Sequence, residues 1–202
     1  MGNRLSRPAL AAVIALAAFV VTGLTAFAGA TQFENRDTNC ASCHTEPETT
    51  YVARAHGGGA SSDLASAHAL VGQGDAPAEP VRCIDCHSGK GVSGRLGAMA
   101  LGAHDGWRWL TGTGRQPAIT TAPLSDEHCL KCHIDTPANQ NFDRHFHRYM
   151  PDWQALDPAA GSCVTCHTAH TTDGNAAIGF LQQQRTRAVC DQCHSAMKVA
   201  SP

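Results

Sequence analysis

Five copies of C-x-x-C-H consume every cysteine in the chain: Cys40/Cys43/His44, Cys83/Cys86/His87, Cys129/Cys132/His133, Cys163/Cys166/His167 and Cys190/Cys193/His194. No thiol is left over, so whatever this pattern binds must organise the fold. Two thiols three positions apart, with a histidine directly after the second, form the attachment signature of c-type haem. The thiols reach the two vinyl groups of one porphyrin through thioether bonds, and the adjacent imidazole is the proximal ligand to iron. Zinc sites instead pair two C-x-x-C units or add histidines at finger spacing. Five disulfides would not impose the trailing histidine, and a thioredoxin-like pair would occur once, after a strand. The reading is five covalently attached haem c groups, with His44, His87, His133, His167 and His194 as proximal ligands.

The motif starts are 43, 46, 34 and 27 residues apart, and only 11 of 202 residues are aromatic, against 19 Gly and 10 Pro. That is too little apolar side chain, and too little chain per motif, to bury each cofactor in a fold of its own. The expected fold is mostly α with extensive loops, wrapped round a haem-packed core. Close-packed redox centres make a conductor, so electron transfer is the expected function. A net charge of −2 with no basic run argues against a nucleic-acid partner. The absence of a glycine fingerprint argues against a dinucleotide fold.

Arg4 and Arg7 precede 22 uncharged residues, Ala9 to Ala30. About 20 apolar residues in a helix span a bilayer, and the flanking arginines favour the cytoplasmic side. Residues 1–30 therefore read as an N-terminal anchor, and 31–202 as a pentahaem domain outside the cytoplasmic membrane, in the periplasm. A cleaved leader is the rival reading. Ala26-Phe27-Ala28 and Ala28-Gly29-Ala30 resemble cleavage sites, and the most apolar part, Ala9 to Val21, is short. Both readings export the remainder.

Seven histidines lie outside the motifs, more than five irons need as sixth ligands. The distal candidates are His56, His68, His128, His145, His147 and His170, with His104 also spare. His170 follows the fourth motif as C-x-x-C-H-x-x-H, and His56 sits in a glycine-rich stretch that can fold over a neighbouring haem. Of His145 and His147, one is expected on iron and the other in solvent or on a propionate. His128 abuts Cys129 and can reach only another haem. Met99 and Met150 are weaker ligand candidates, better suited to apolar packing.

Ser93 to Leu110 reads as a helix, because Leu96, Met99, Ala103, Trp107 and Leu110 share one face. Trp107 and Trp109 suit a membrane–water interface, although a helix capping a haem would look the same. Within it, His104 and Asp105 form an ionisable pair. A carboxylate beside a haem at the membrane surface can accept a proton from a quinol hydroxyl, which makes Asp105 a catalytic candidate.

From Pro8 to about His170 the chain resembles the NapC/NirT/NrfH family of membrane-anchored multihaem quinol dehydrogenases. The likeness rests on the N-terminal helix followed closely by Cys-Ala-Ser-Cys-His, the Cys-Ile-Asp-Cys-His of the second motif, and the helical Gly-Ala-His-Asp-Gly-Trp segment beyond it. The resemblance implies that the first haem lies near the membrane and takes electrons from menaquinol or ubiquinol. It implies that Asp105 is the acidic residue beside that haem, and that His56 and His170 are distal ligands. The chain departs from the family pattern at four places. Glu46 stands where a methionine ligand is usual; Ala98-Met99-Ala100 replaces the neighbourhood of a lysine; the loop from His56 to Pro80 is longer; and the fifth motif is extra. The pentahaem subunits of alternative complex III, which also carry one N-terminal helix, are similar.

The expected function is electron transfer from membrane quinol to a periplasmic reductase or redox carrier through mostly bis-histidine, low-potential haems. A soluble periplasmic shuttle released by leader cleavage, and an electron-transfer subunit of an alternative complex III-like assembly, are the alternatives. A multihaem enzyme with one open iron is less consistent with so many spare histidines and so little chain for a substrate pocket.

Overall fold

A computed structural model describes residues 6–71, 80–118, 124–136, 145–157 and 159–199. Arg4, one of the two arginines before the apolar run, lies outside them. Among the described residues the chain is helical, with ten α-helices, one 3-10 turn and no named strand. The long first helix, α1 (Arg7–Glu34), starts with proline in its first turn, where the missing N–H costs nothing. It continues past Ala30 to Glu34 and buries no residue. By length and hydropathy it qualifies to cross a membrane, and a leader sequence meets the same criteria.

Seven short or medium helices carry the motifs or their partners. They are α2 (Asp37–Cys43), α3 (Glu48–His56), α4 (Leu64–Leu70), α5 (Cys83–His87), α7 (Asp126–Leu130), α8 (His145–Leu156) and α9 (Cys163–Cys166). The two longer ones are α6 (Gly91–Leu110) and α10 (Gln183–Val199), the latter carrying the fifth motif. Helix α6 covers the stretch that the apolar spacing indicates and begins two residues earlier. It packs near the end of α1, where Arg95 pairs with Glu34 at 2.5 Å.

Side chains alone provide little core. Among the described residues the buried apolar ones are Ala55, Ala69, Met150, Trp153, Cys166, Phe180 and Val189. The one cluster of buried residues among the described residues, Trp153, Cys166 and Val189, is flanked by Phe146, Ala160, Leu181 and Cys193, between α8, α9 and α10. Elsewhere polar devices hold the fold. Asp63 caps α4 through a reciprocal box with Ser66 (2.8 Å to the Ser66 N–H). Its other oxygen pairs with Arg54 of α3 at 3.2 Å. Arg54 also donates to the His170 carbonyl at 3.0 Å, and the Ala65 N–H donates to the Ala169 carbonyl at 3.0 Å. These bonds strap the α3–α4 hairpin to the segment just after the fourth motif, more than a hundred residues away in sequence.

That segment turns back on itself. The Thr168 N–H donates to the Phe180 carbonyl (3.1 Å), Asn175 to Leu181 (3.0 Å) and Gln182 to Cys166 (3.0 Å). The turn closes at Gly179, in the left-handed region at φ 68°, where a glycine is the least strained residue.

Candidate functional site

Successive motifs abut in chain order. At the first junction Asp37, three residues before Cys40, is buried and accepts the Cys83 N–H at 3.0 Å. The Cys40 and Cys83 thiols meet: the hydrogen bond between them lowers the pKa of Cys40 and raises that of Cys83, helped at Cys83 by burial. At the second junction Lys131 reaches the carbonyls of Asp85 and Gly89 (3.2 Å to the latter). Cys86, whose thiol is pushed up by burial, also feels Cys129 and Cys132 there. The third junction repeats the first. Asp126, three residues before Cys129, accepts the Cys163 N–H at 2.7 Å, and a hydrogen bond with Cys163 lowers the Cys129 thiol to about 7. At the fourth, α9 packs on α10, where burial raises the Cys166 thiol and Cys190 adds to the shift.

Imidazoles meet in pairs across this row. His87 lies 6.2 Å from His170, centroid to centroid, and His147 lies 6.0 Å from His167. His68 is 6.0 Å from His133, and His145 is 6.3 Å from His194. Two imidazoles that each present a nitrogen about 2 Å from one metal ion have centroids roughly 6 Å apart. Each pair joins a motif histidine to one from a different segment.

Hydrogen bonding fixes two of these rings in the ligating tautomer. A carbonyl can only accept, so Nδ1 of His167 donates to the Gly179 carbonyl (2.6 Å) and Nδ1 of His68 to the Leu64 carbonyl (2.8 Å). Nε2 is then the unprotonated nitrogen, as for a metal-binding histidine held from behind. Burial lowers the pKa of both His87 and His170, keeping them neutral as ligation requires. His170 is also stacked on Tyr51, with centroids 4.2 Å apart and planes 12° apart.

The fifth motif faces a cavity of about 210 Å³ lined by Cys190, Cys193, His194, His145, Phe146 and Trp153, with Tyr149 and Met150 completing the wall. Two thiols, two imidazoles and an aromatic wall form a donor set that fits a porphyrin with its iron. The apolar lining suits the macrocycle.

A family model described as the doubled CXXCH motif matches residues 157–199, which hold the fourth and fifth motifs. No curated protein and no solved structure matches the chain. That match, over 43 of the 202 residues, indicates that the chain is multihaem c-type cytochrome-like. Its C-x-x-C-H motifs are sites for covalent haem c, and electron transfer is the function that goes with them.

The remaining candidates of this cytochrome-like chain fall elsewhere. His56, which the family resemblance makes a distal ligand, donates from Nε2 to Asp37 at 3.1 Å and meets no motif imidazole among the described residues. His145 and His147 both stand opposite motif histidines, although the sequence reading gave only one of them to iron. His128 bonds Ser125 through Nδ1 (3.1 Å) and lies in the electrostatic surroundings of His87. Met150 is buried in the cavity wall, in a packing role, and Met99 is half-buried on α6. His104 and Asp105 are 3.6 Å apart, with Asp105 the less exposed of the two. No second histidine ring pairs with His44 among the described residues; its neighbours Cys43 and Thr45 are clasped by Gln116 (2.7 and 3.3 Å). Asp37 and Asp126 were not singled out from the sequence, although each stands three residues before the first cysteine of an odd-numbered motif.

Proposed function

We propose that the chain carries five haems and conducts electrons from quinol in the cytoplasmic membrane to a reductase or redox carrier outside it. The observation that carries this reading is the order of the motifs, each joined to the next: Asp37 accepts the Cys83 N–H, Lys131 reaches the Asp85 carbonyl, Asp126 accepts the Cys163 N–H, and α9 packs on α10. Bound haem supplies one-electron iron chemistry. The protein's part would be to hold successive attachment motifs against one another and shield their histidines from water.

Electron uptake is assigned to the first motif. It follows α1 directly, and Gln116, just beyond α6, binds both sides of His44. Helix α6 leaves Leu96, Trp107, Trp109 and Leu110 exposed and is joined to the end of α1 through Arg95 and Glu34. By helical spacing Leu96, Trp107 and Leu110 share one exposed apolar face of α6, which suits contact with lipid and a quinone-sized substrate. Asp105, on the same helix, is the group assigned to take the quinol proton, with His104 beside it to pass the proton on.

The full-length, haem-loaded chain in lipid vesicles tests this reading. A menaquinol analogue should reduce the haems, and Asp105→Asn should slow that reduction about a hundredfold, the lower range for loss of a general base, while dithionite still reduces every haem. Full reduction by dithionite with none by quinol would overturn the quinol reading and favour the soluble shuttle. That alternative draws on α1, which meets the criteria for a leader as well as an anchor. N-terminal sequencing of the mature protein, starting near Gly29 or Thr31, would establish it. A mass short of five porphyrins would revise the count.

A further inference from the structure

Two planar imidazoles on one low-spin ferric iron donate into its dπ orbitals, and the angle between their planes decides how. Parallel rings raise the same orbital and split the pair widely, which gives a rhombic EPR spectrum. Crossed rings raise one orbital each and leave the pair nearly degenerate, which gives a single, strongly anisotropic low-field feature. Axial ligation is one of the levers by which a protein tunes a haem, and here the fold sets the ring planes.

We infer that four irons are held by the pairs His87/His170, His167/His147, His133/His68 and His194/His145, and that they form two electronic classes. The second and fourth haems have near-parallel ligand planes, and the third and fifth have crossed planes. The inference rests on the haem-loaded reading above. The interplanar angles are 20° for His87/His170 and 16° for His147/His167, against 86° for His68/His133 and 66° for His145/His194. Along the row the classes alternate, because each even-numbered motif is parallel and each odd-numbered one after the first is crossed.

Protein contacts hold the rings at these angles. His167 is fixed by its bond to the Gly179 carbonyl and His68 by its bond to the Leu64 carbonyl one turn back on α4. The His170 ring is held by Tyr51, which stacks on its face at 4.2 Å and 12°. Its backbone carbonyl is held by Arg54, itself paired with Asp63. Tyr51 is therefore a positioning residue for the second haem; it touches a ligand and not the iron.

Low-temperature EPR of the fully oxidised, haem-loaded chain tests the assignment, with haem content followed by mass. Two rhombic and two strongly anisotropic low-spin components are expected. His147→Ala should remove about half of the rhombic intensity and none of the anisotropic feature, and His68→Ala should do the reverse. Tyr51→Ala leaves every ligand in place, so it stays decisive if a ligand variant fails to load haem. It should shift one rhombic component, and Tyr51→Phe should restore it. All four low-spin haems falling in one class would overturn the inference, as would a His147 or His68 variant depleting the wrong class, or Tyr51→Ala leaving the spectrum unchanged. Correct haem mass with those outcomes would leave the electron-transfer reading intact, whereas missing porphyrin mass in the unmutated chain would remove both.

Discussion

The junction between motifs one and two and the junction between motifs three and four are the same device used twice. In each, an aspartate three residues before a cysteine offers one carboxylate oxygen to the first cysteine N–H of the following motif. They differ in the other oxygen. On Asp126 it takes Gln154 (2.7 Å), which also donates to the Gly161 carbonyl (2.8 Å), tying α8 to the approach to α9. On Asp37 it takes His56. The first junction thus engages a histidine outside the motifs, whereas the third uses an amide and leaves both nearby histidines, His145 and His147, opposite motif imidazoles. An identical local clasp therefore serves two ends with different ligand supply: a fully paired interior, and a first motif whose imidazole meets no second ring among the described residues.

The harshest way to break this comparison is to separate the two halves. Asp63→Ala removes the cap of α4 and leaves Arg54 without its buried partner, so the α3–α4 hairpin loses its hold on the segment after His167. Breaking a buried ion pair and losing a cap together should cost about 3 kcal/mol or more. Denaturant titration of the haem-loaded protein reads the loss, and a midpoint unchanged from the unmutated chain would mean that the strap contributes nothing.

The clasps come next. Asp37→Ala and Asp126→Ala each leave a part-buried cysteine N–H without its acceptor, at about 2 kcal/mol apiece. Asparagine sharpens the contrast. An amide keeps one accepting oxygen for the cysteine N–H, but its nitrogen can only donate. At position 126 it meets the donating Nε2 of Gln154, while at position 37 it meets a His56 ring that can switch tautomer and accept. Asp37→Asn should recover more of the lost stability than Asp126→Asn. Equal recovery in the same denaturant series would show that the outer oxygens do not distinguish the two sites.

Much of this was readable from residue order. The C-x-x-C-H spacing is a local chemical constraint, so all five motifs stand in the sequence. The same holds for α1, whose apolar run needs no partner to declare itself, and for α6, whose spacing marks its helical face. The scarcity of aromatic residues correctly anticipated a small side-chain core. Histidine pairing was not readable, because it is set by contacts far apart in the chain. His170 reaches His87 only because Arg54 and Asp63 hold α3 and α4 beside it, and His68 meets His133 across two motifs. The aspartate clasps were missed for another reason: one aspartate before a motif looks like an ordinary helix-start residue. Only its recurrence at the same offset, Asp37 before Cys40 and Asp126 before Cys129, distinguishes it.

A smaller perturbation separates the outer partners of the two clasps. Gln154→Ala removes two hydrogen bonds in a half-buried setting and should cost about 1.5 kcal/mol. The effect should vanish in an Asp126→Ala background only in part, because the bond to the Gly161 carbonyl is independent of Asp126. A double-mutant cycle measures the share that belongs to the clasp.

The smallest expected change carries the sharpest distinction. His56 is half exposed, and among the described residues its bond to Asp37 is the one interaction that fixes its ring, so His56→Ala should cost only about 0.5 kcal/mol, near the lower end for a single hydrogen bond. The likeness to membrane-anchored quinol dehydrogenases would put this histidine on an iron, and the two placements make opposite demands. A ligand lost from a low-spin haem changes its spin state, its absorbance and its ability to bind carbon monoxide, whereas a histidine that only completes the Asp37 clasp leaves all three alone. Unchanged optical and EPR spectra in His56→Ala, with a slightly lower denaturation midpoint, are the expected result. A new high-spin signal would move His56 from the clasp to an iron, and Asp37 would then have to hold Cys83 without it.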